Sequence, residues 1–131
     1  MRYLLDANAV IALLNEPRSL LARRARQEPP EDVGTSVIVI HELSYGAFKG
    51  RQTAQNLARL DAVQLEIVEF DTQDARQAGQ IRALLASRGT PIGPYDVLIA
   101  GQAVSRDLIL VTHNTAEFSR VPGLRCEDWE A

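Results

Sequence analysis

The segment spanning residues 89–103, GTPIGPYDVLIAGQA, constrains the fold of this chain more than any other. Its first half is rich in glycine and proline, which favour a turn, and Pro94 suits the first position of a helix because no N–H donor is needed there. Asp96 follows inside the first turn of this predicted helix. Ile99 and Ala100 lie three and four residues further on, so they share its face. A carboxylate therefore stands at the start of an apolar stripe, where it either complements the helix N-terminus or belongs to a functional site.

Short apolar segments alternate with segments of helical periodicity along the chain. The uninterrupted run LILV at residues 108–111 is typical of a central parallel strand. Strands that alternate with helices imply a parallel sheet covered by helices on both faces. We therefore predict a three-layer α/β fold, formed by residues 1–131 as a single domain, with a mostly parallel sheet of about four or five strands. The predicted strands span residues 2–5, 33–35, 66–70, 108–111 and 124–126, and the predicted helices span residues 7–15, 18–27, 37–49, 52–63 and 72–87, with a further helix from Pro94 onward.

Composition excludes several classes of protein. No apolar run approaches the length of a membrane span, and Asp6 interrupts the apolar N-terminal segment, which argues against a signal peptide. The single cysteine, Cys126, excludes an internal disulfide and a cysteine-based zinc site, and it fits a reducing compartment, so we expect a cytoplasmic protein. The net charge is −3, which means that any nucleic acid must be bound by a local basic patch.

Further polar residues occupy comparable positions at predicted element boundaries. Asp6 directly follows the first predicted strand. Thr112 and Asn114 lie just beyond the LILV strand, and Glu117 lies one turn later. Glu42 interrupts an apolar helical stripe, where a lone carboxylate is costly unless it is paired, hydrogen-bonded or bound to a metal.

These acids admit both a structural and a functional interpretation. Asp6 alone could simply cap the following helix. However, ligands of parallel sheets bind beyond the carboxyl ends of the strands, and three carboxylates with an amide would converge there. Because crowded carboxylates repel one another, a hard cation is the natural counter-charge, and oxygen ligands suit Mg²⁺ or Mn²⁺. Such a site activates water and clamps a phosphodiester. His41 points about 100° away from Glu42 on a helix and is not expected to be a ligand.

Two groups of arginines are candidates for contact with substrate phosphate. Arg23, Arg24 and Arg26 form the densest basic cluster of the chain, although such a cluster is usually a solvated helix face. Arg82 either pairs with an acid or reaches a phosphate. It interrupts a stripe of small residues that suggests close helix packing, namely Ala75, Ala78, Gly79 and Ala86.

The motifs that carry these residues resemble the PIN-domain ribonucleases, and in particular the VapC-type toxins of bacterial toxin–antitoxin modules. The resemblance covers nearly the whole chain. YLLDANAVIALL is similar to the first motif of the family and carries Asp6, and SVIVIHELSYGAFK is similar to the second and carries Glu42. The most specific match begins at GQIRALLASRGTPIGPYDVLIAGQ and ends at RCEDW, and it contains Asp96 and Asn114.

The resemblance implies a PIN-like fold and a Mg²⁺-dependent endoribonuclease, with Mn²⁺ as a possible substitute. It implies that Asp6, Glu42 and Asp96 hold the metal, and that Asn114 or Glu117 positions the attacking water. Cleavage is expected to leave a 5′-phosphate and a 3′-hydroxyl. The subfamily further implies structured RNA, often tRNA, as the substrate, inhibition of translation, a homodimer, and an antitoxin that blocks the site within a hetero-oligomer. Thr112 and the arginines would contact the RNA.

This chain departs from the family pattern at two positions. Ala7 stands where Thr is common, which removes a local hydrogen bond. Asn114 stands where many relatives have Asp, which removes one charge and leaves Glu117 as a possible replacement.

Other protein classes begin with a strand followed by an acid. A haloacid-dehalogenase-type phosphatase needs a second Asp two residues after the first, where this chain has Asn8. A response-regulator receiver needs a late Lys, and the only Lys is Lys49. The remaining alternative is a catalytically silent module that only binds a partner, which predicts no loss of activity when Asp96 is replaced by Asn.

Overall fold

A parallel sheet runs through the centre of the computed structural model, which describes residues 1–130. The sheet of the described residues has five strands in the order β3-β2-β1-β4-β5, and every neighbouring pair is parallel. This arrangement confirms the predicted α/β architecture. The strands are β1 (Tyr3–Leu5), β2 (Val33–Ser36), β3 (Glu66–Val68), β4 (Ile109–Val111) and β5 (Arg125–Glu127).

Seven α-helices and one 3₁₀ turn (Pro30–Asp32) flank this sheet within residues 1–130. The helices are α1 (Ala7–Asn15), α2 (Leu20–Arg26), α3 (Val37–Lys49), α4 (Thr53–Asp61), α5 (Thr72–Ser87), α6 (Pro94–Ser105) and α7 (Thr115–Phe118). None of these helices combines the length and hydropathy needed to cross a membrane.

Side-chain caps explain where most of these helices begin. Asp6, Ser19 and Ser36 each accept a hydrogen bond from a backbone N–H in the first turn that follows, at 2.9, 3.1 and 3.0 Å. Asp71 and Asp74 form a reciprocal capping box at the start of α5. The predicted start of α2 at residue 18 is wrong, because Ser19 is the cap and the helix therefore begins at Leu20.

Strand β3 is shorter than the predicted segment 66–70 because its last residues bond to side chains. The carbonyl of Val68 accepts a hydrogen bond from Nε2 of Gln102 at 3.1 Å. The carbonyl of Glu69 accepts bonds from Gln102 at 2.8 Å and from Arg106 at 2.9 Å. Helix α6 therefore takes the backbone acceptors that a longer strand would have offered to a neighbour.

The chain order creates a switch point between β1 and β4. From β1 the chain proceeds to β2 and β3 at one edge, and then crosses to β4 on the other side of β1. Because parallel connections are right-handed, helices before and after β3 lie on opposite faces. A crevice therefore opens beyond the carboxyl ends of β1 and β4. Asp6 and Thr112 are the first residues after these two strands, and the Asp6 N–H donates to the carbonyl of Val111 at 3.1 Å.

Helices α5 and α6 pack closely through small residues. A Cβ added at Gly101 would lie 2.6 Å from Cα of Ala78, so only glycine fits this contact. The packed face of α5 is Asp74, Ala78, Ile81 and Leu85. The predicted small-residue stripe is therefore wrong except at Ala78, because Ala75, Gly79 and Ala86 are exposed, as is Arg82. The inward face is rotated by about one residue, and it includes the buried acid Asp74.

Candidate active site

Asp6 lies at the floor of the crevice, with only 5% of its surface exposed. Its Oδ1 caps α1 by accepting from the N–H of Ala9 at 2.9 Å, and its side chain is also hydrogen-bonded to Thr112. Burial raises the pKa of Asp6, and these two hydrogen bonds only partly offset that effect. The carboxylate is therefore held in one orientation by β1, α1 and the residue after β4.

Asp96 lies in the first turn of α6, where Pro94 occupies the first helical position as predicted. Burial raises the pKa of Asp96 to about 6, and the charges of Glu117, Glu42 and Asp6 contribute in that order. Oδ2 of Asp96 folds back over Gly93, where a Cβ would come within 3.1 Å of it. Any larger residue at position 93 would push against this carboxylate.

Glu117 fixes the loop that leads to Asp96. Its Oε1 accepts from the N–H of Gly93 at 3.0 Å, and its Oε2 accepts from Nδ2 of Asn114 at 2.5 Å. The backbone bond from Gly93 is the main reason that the pKa of Glu117 is lowered, and bonds with Asn114 and Asp96 contribute. The Asp96 and Glu117 carboxyl groups are therefore close enough to affect each other's pKa, raising that of Asp96 and lowering that of Glu117.

Glu42 enters the site from α3. Its Oε1 is buried and has no hydrogen-bond partner among the described residues. Burial, followed by the charge of Asp6, raises the pKa of Glu42. His41 lies on the exposed side of the same helix, where its ring is 5.6 Å from that of Tyr95.

The structure therefore brings Asp6, Glu42, Asp96 and Glu117 to one place from four different elements. Their charges act on one another, yet no Lys or Arg of residues 1–130 forms an ion pair with any of them. Unpaired carboxylates in a half-buried crevice need a cation, and the unpartnered Oε1 of Glu42 is a free ligand atom. The all-oxygen donor set fits a hard divalent ion.

The spacing of the acids bears on how such an ion would be held. Asp6, Glu42 and Asp96 do not form a group whose ligand atoms all lie within 4.8 Å of one another, whereas such a group exists elsewhere in residues 1–130. Mg²⁺ retains several water molecules when proteins bind it. In this arrangement an ion would bind at least one of the three acids through water.

Two other predicted residues line the same edge. Thr112 is buried, binds Asp6 through its side chain, and accepts from the N–H of Asn114 at 3.0 Å. Asn114 is exposed at the start of α7 and orients Glu117. Thr112 is thus a buried residue that supports Asp6, whereas Asn114 lies on the solvent-exposed side of the site.

The predicted phosphate-contacting arginines fall into two environments. Arg24 pairs with Glu28 and stacks on Trp129, whose ring centre is 4.7 Å from the guanidinium carbon. Arg26 donates to the carbonyl of Pro17 at 2.9 Å. Arg23 is exposed and borders a depression with Asp128 and Trp129.

Arg82 lies apart from this cluster, on the exposed face of α5. It borders a groove with Pro91, Ile92 and Pro94. This groove runs under the loop that precedes Asp96.

Sequence analysis missed His113 and Asp128, whose charges both act on Asp6. Nδ1 of His113 lies 3.0 Å from Oδ2 of Asp128. The signal that identified Asp6 was present for both residues, because each follows closely after a strand of a parallel sheet. It was overlooked because β5 was predicted only as an edge strand ending at residue 126.

Comparison with known proteins agrees with this geometry. The PIN domain family matches residues 3–124. The chain is 43% identical to the tRNA(fMet)-specific endonuclease VapC of Salmonella typhimurium and 40% identical to that of Shigella flexneri, in each case over 98% of both chains. Its fold matches the VapC-containing structure described as DNA-bound VapBC from Salmonella typhimurium with a TM-score of 0.93, 42% identity and 98% coverage of both chains.

An α/β fold with four acids at the switch point of its sheet, together with these matches, defines the class: the chain belongs to the PIN domain family. Within that family it is of the VapC type.

Proposed function

We propose that this protein is the endoribonuclease toxin of a toxin–antitoxin module, which uses Mg²⁺ to hydrolyse phosphodiester bonds in structured RNA, with tRNA as the main substrate. The observation that carries the proposal is the convergence of Asp6, Glu42, Asp96 and Glu117, none of which forms an ion pair with a Lys or Arg of the described residues. The enzyme class follows from the family, since the relatives of this chain are named as endonucleases that act on tRNA(fMet).

Each acid has a role in this proposal. Asp6, Glu42 and Asp96 hold the metal ion, directly or through water. The bound ion would supply positive charge to the scissile phosphate and acidify a water molecule. Burial of these carboxylates strengthens their attraction for a cation, because the surrounding dielectric is low. Mn²⁺ would substitute for Mg²⁺, since it accepts the same oxygen ligands.

Asn114 and Glu117 position the attacking water. Glu117 is anchored to the N–H of Gly93 and to Asn114, so its carboxylate is held beside Asp96. Asn114 supplies an exposed amide on the solvent side of this pair. The reaction leaves a 5′-phosphate and a 3′-hydroxyl.

Substrate contacts come from the residues that remain accessible. Arg23 and Arg82 are exposed, and both would contact phosphates of the RNA. Thr112 contributes by orienting Asp6. Arg24 and Arg26, which have partners within the protein, shape the basic face more than they bind RNA.

The proposal extends to partners and location. Similar solved chains belong to complexes described as VapBC, and we propose that an antitoxin likewise blocks this site within a hetero-oligomer in which the toxin is a homodimer. Release of the toxin would inhibit translation by destroying tRNA. A cytoplasmic location fits a substrate of this kind.

Cleavage of purified bulk tRNA tests the function directly. We expect Asp96→Asn to lower the cleavage rate roughly 100-fold or more, because one metal ligand is lost. Asp61→Asn, the same chemical change at an exposed position of α4, should leave the rate unchanged. The rate is measured from fragments on a gel with Mg²⁺, Mn²⁺ or EDTA. Equal cleavage by wild type and Asp96→Asn would exclude these carboxylates as the source of the activity, and equal inactivity of both would favour the silent partner-binding module.

The same assay separates the roles of Asn114 and Glu117. Glu117→Gln removes a charge but keeps an acceptor for the Gly93 N–H, whereas Asn114→Ala removes only the amide. If Glu117 replaces the missing family acid, we expect Glu117→Gln to lower the rate at least ten times more than Asn114→Ala does. The reverse order would assign the water-positioning role to Asn114.

A further inference from the structure

A second cluster of possible ligands lies beside the acid site, where β4 and β5 end. The register pairs Val111 with Glu127, so His113 and Asp128 emerge next to each other from adjacent parallel strands. Glu130 follows two residues later. Between the two acids, Trp129 is buried, packs edge-on against Tyr3 at 5.0 Å, and thereby anchors the segment.

The distances within this cluster match those between ligands of one ion. Nδ1 of His113 lies 3.0 Å from Oδ2 of Asp128 and 3.9 Å from Oε2 of Glu130. One ligand atom of each residue lies within 4.8 Å of the other two. Two ligands of a four-coordinate zinc ion, at bond lengths of about 2.1 Å, are separated by about 3.4 Å. The observed separations lie on either side of that value.

The donors also indicate which ions would fit. Both carboxylates face the same ring nitrogen, which carries at most one hydrogen, so a single N–H cannot satisfy both acids well. Oδ1 of Asp128 is already occupied by the N–H of Glu130 at 2.9 Å, which leaves Oδ2 directed at His113. One imidazole nitrogen and two carboxylate oxygens suit ions of borderline softness, whereas Mg²⁺ prefers oxygen alone.

We propose that His113, Asp128 and Glu130 bind a divalent transition-metal ion, with Zn²⁺ the preferred ion, at a site separate from the carboxylates Asp6, Glu42 and Asp96. The ion joins the loop after β4 to the segment after β5 and leaves at least one coordination position open to water. The competing interpretation is an ordinary surface contact between His113 and Asp128, with Glu130 uninvolved.

Titration of the purified full-length protein with Zn²⁺, in excess Mg²⁺ and against a chromophoric chelator, tests the site. We expect His113→Ala and Glu130→Gln each to weaken Zn²⁺ binding by at least about tenfold. Asp96→Asn, which alters the other site, should leave Zn²⁺ affinity unchanged. The His113 side chain is 69% exposed, so its replacement should not impair folding, and the melting temperature in EDTA verifies this.

Imidazole nitrogen resonances provide a second measurement that depends on direct ligation. The chain has two histidines, and His41 serves as the internal control. Zn²⁺ should shift the ring nitrogens of His113 and leave those of His41 in place. Unchanged affinity in His113→Ala or in Glu130→Gln, or an unshifted His113, would overturn the proposal. Loss of Zn²⁺ binding in Asp96→Asn would also overturn it by assigning the ion to the acid site.

Discussion

An aspartate lies at each end of helix α6, namely Asp74 of α5 at the C-terminal end and Asp96 at the N-terminal end. Their pKa values are shifted in opposite directions. At the C-terminal end, Arg106 donates to both carboxylate oxygens of Asp74, which is fully buried. Burial opposes ionisation of Asp74, but the bonds from Arg106 and the Asp71 backbone outweigh it, so the pKa of Asp74 is lowered. At the N-terminal end, Asp96 is partly exposed, and burial together with the neighbouring carboxylates raises its pKa to about 6.

Burial raises the pKa of both carboxylates, and their partners decide the direction of the net shift. Asp74 has a fixed cation in Arg106 and accepts a bond from the Asp71 N–H, so its charge stabilises the packing of α5 on α6. Asp96 faces Glu117, Glu42 and Asp6, so its charge destabilises the protein until a cation arrives. Electrostatic cost of this kind is typical of functional sites, which are optimised for their ligand and not for the stability of the empty protein.

Replacing Asp74 should produce the largest loss of stability. Asp74→Asn leaves Arg106 without its buried partner, and we expect the free energy of unfolding to fall by about 2–3 kcal/mol, less than for a fully buried pair because Arg106 is partly exposed. Asp71→Asn, which keeps a good capping residue and loses one surface ion pair, should cost less than about 0.5 kcal/mol. Urea denaturation measures both. Equal effects of the two variants would mean that the Asp74 pair is no more valuable than a surface contact.

Replacing Asp96 should increase the free energy of unfolding of the metal-free protein. The pKa of Asp96 in the folded protein is about 6, above its ordinary value of 3.8. The folded protein therefore binds this proton more tightly than the unfolded chain does. Ionisation of Asp96 thus lowers the stability of the fold, and the full loss is present only above pH 6. Without metal, Asp96→Asn should therefore be more stable than wild type by about 1–2 kcal/mol at pH 8, with no gain near pH 4. Thermal unfolding in EDTA at both pH values measures this. A destabilised variant at pH 8 would remove the electrostatic contrast between the two ends of α6.

Mg²⁺ provides the control for that experiment. Because an ion that binds the folded state stabilises it, Mg²⁺ should raise the melting temperature of wild type more than that of Asp96→Asn, and the difference seen in EDTA should shrink. Asp74→Asn and wild type should respond to Mg²⁺ alike, since Asp74 is remote from the acids. An equal Mg²⁺ response in wild type and Asp96→Asn would exclude Asp96 as a ligand.

The same contrast explains what the sequence could predict. The convergence of Asp6, Glu42 and Asp96 could be predicted because a strand end, a carboxylate within an apolar stripe and a helix start are local features, which the fold then brings together. The role of Asp74 was not identifiable, because its partner Arg106 lies at the end of another helix and an acid within a helix usually belongs to a solvated face. The rotation of α5 was missed for that reason. His113 and Asp128 each follow a strand, as Asp6 does, but their contact with each other and with Glu130 depends on the register of β4 with β5, which no local pattern determines.

Arg24 and Arg23 differ in the same way as Asp74 and Asp96, because Arg24 has partners within the protein and Arg23 is exposed. Their replacement should have the smallest effects on stability and RNA binding. Arg24→Ala removes the pair with Glu28 and the stacking on Trp129, so we expect a loss of about 1 kcal/mol in stability. Arg23→Ala should leave stability unchanged but reduce the slope of log RNA affinity against log salt by about 0.7–0.9, the value for one lost phosphate contact. Urea denaturation and filter binding at several salt concentrations separate the two. If Arg24→Ala lowers the salt slope without loss of stability, then a side chain with partners inside the protein also binds RNA, and pairing does not divide structural from functional charges in this molecule.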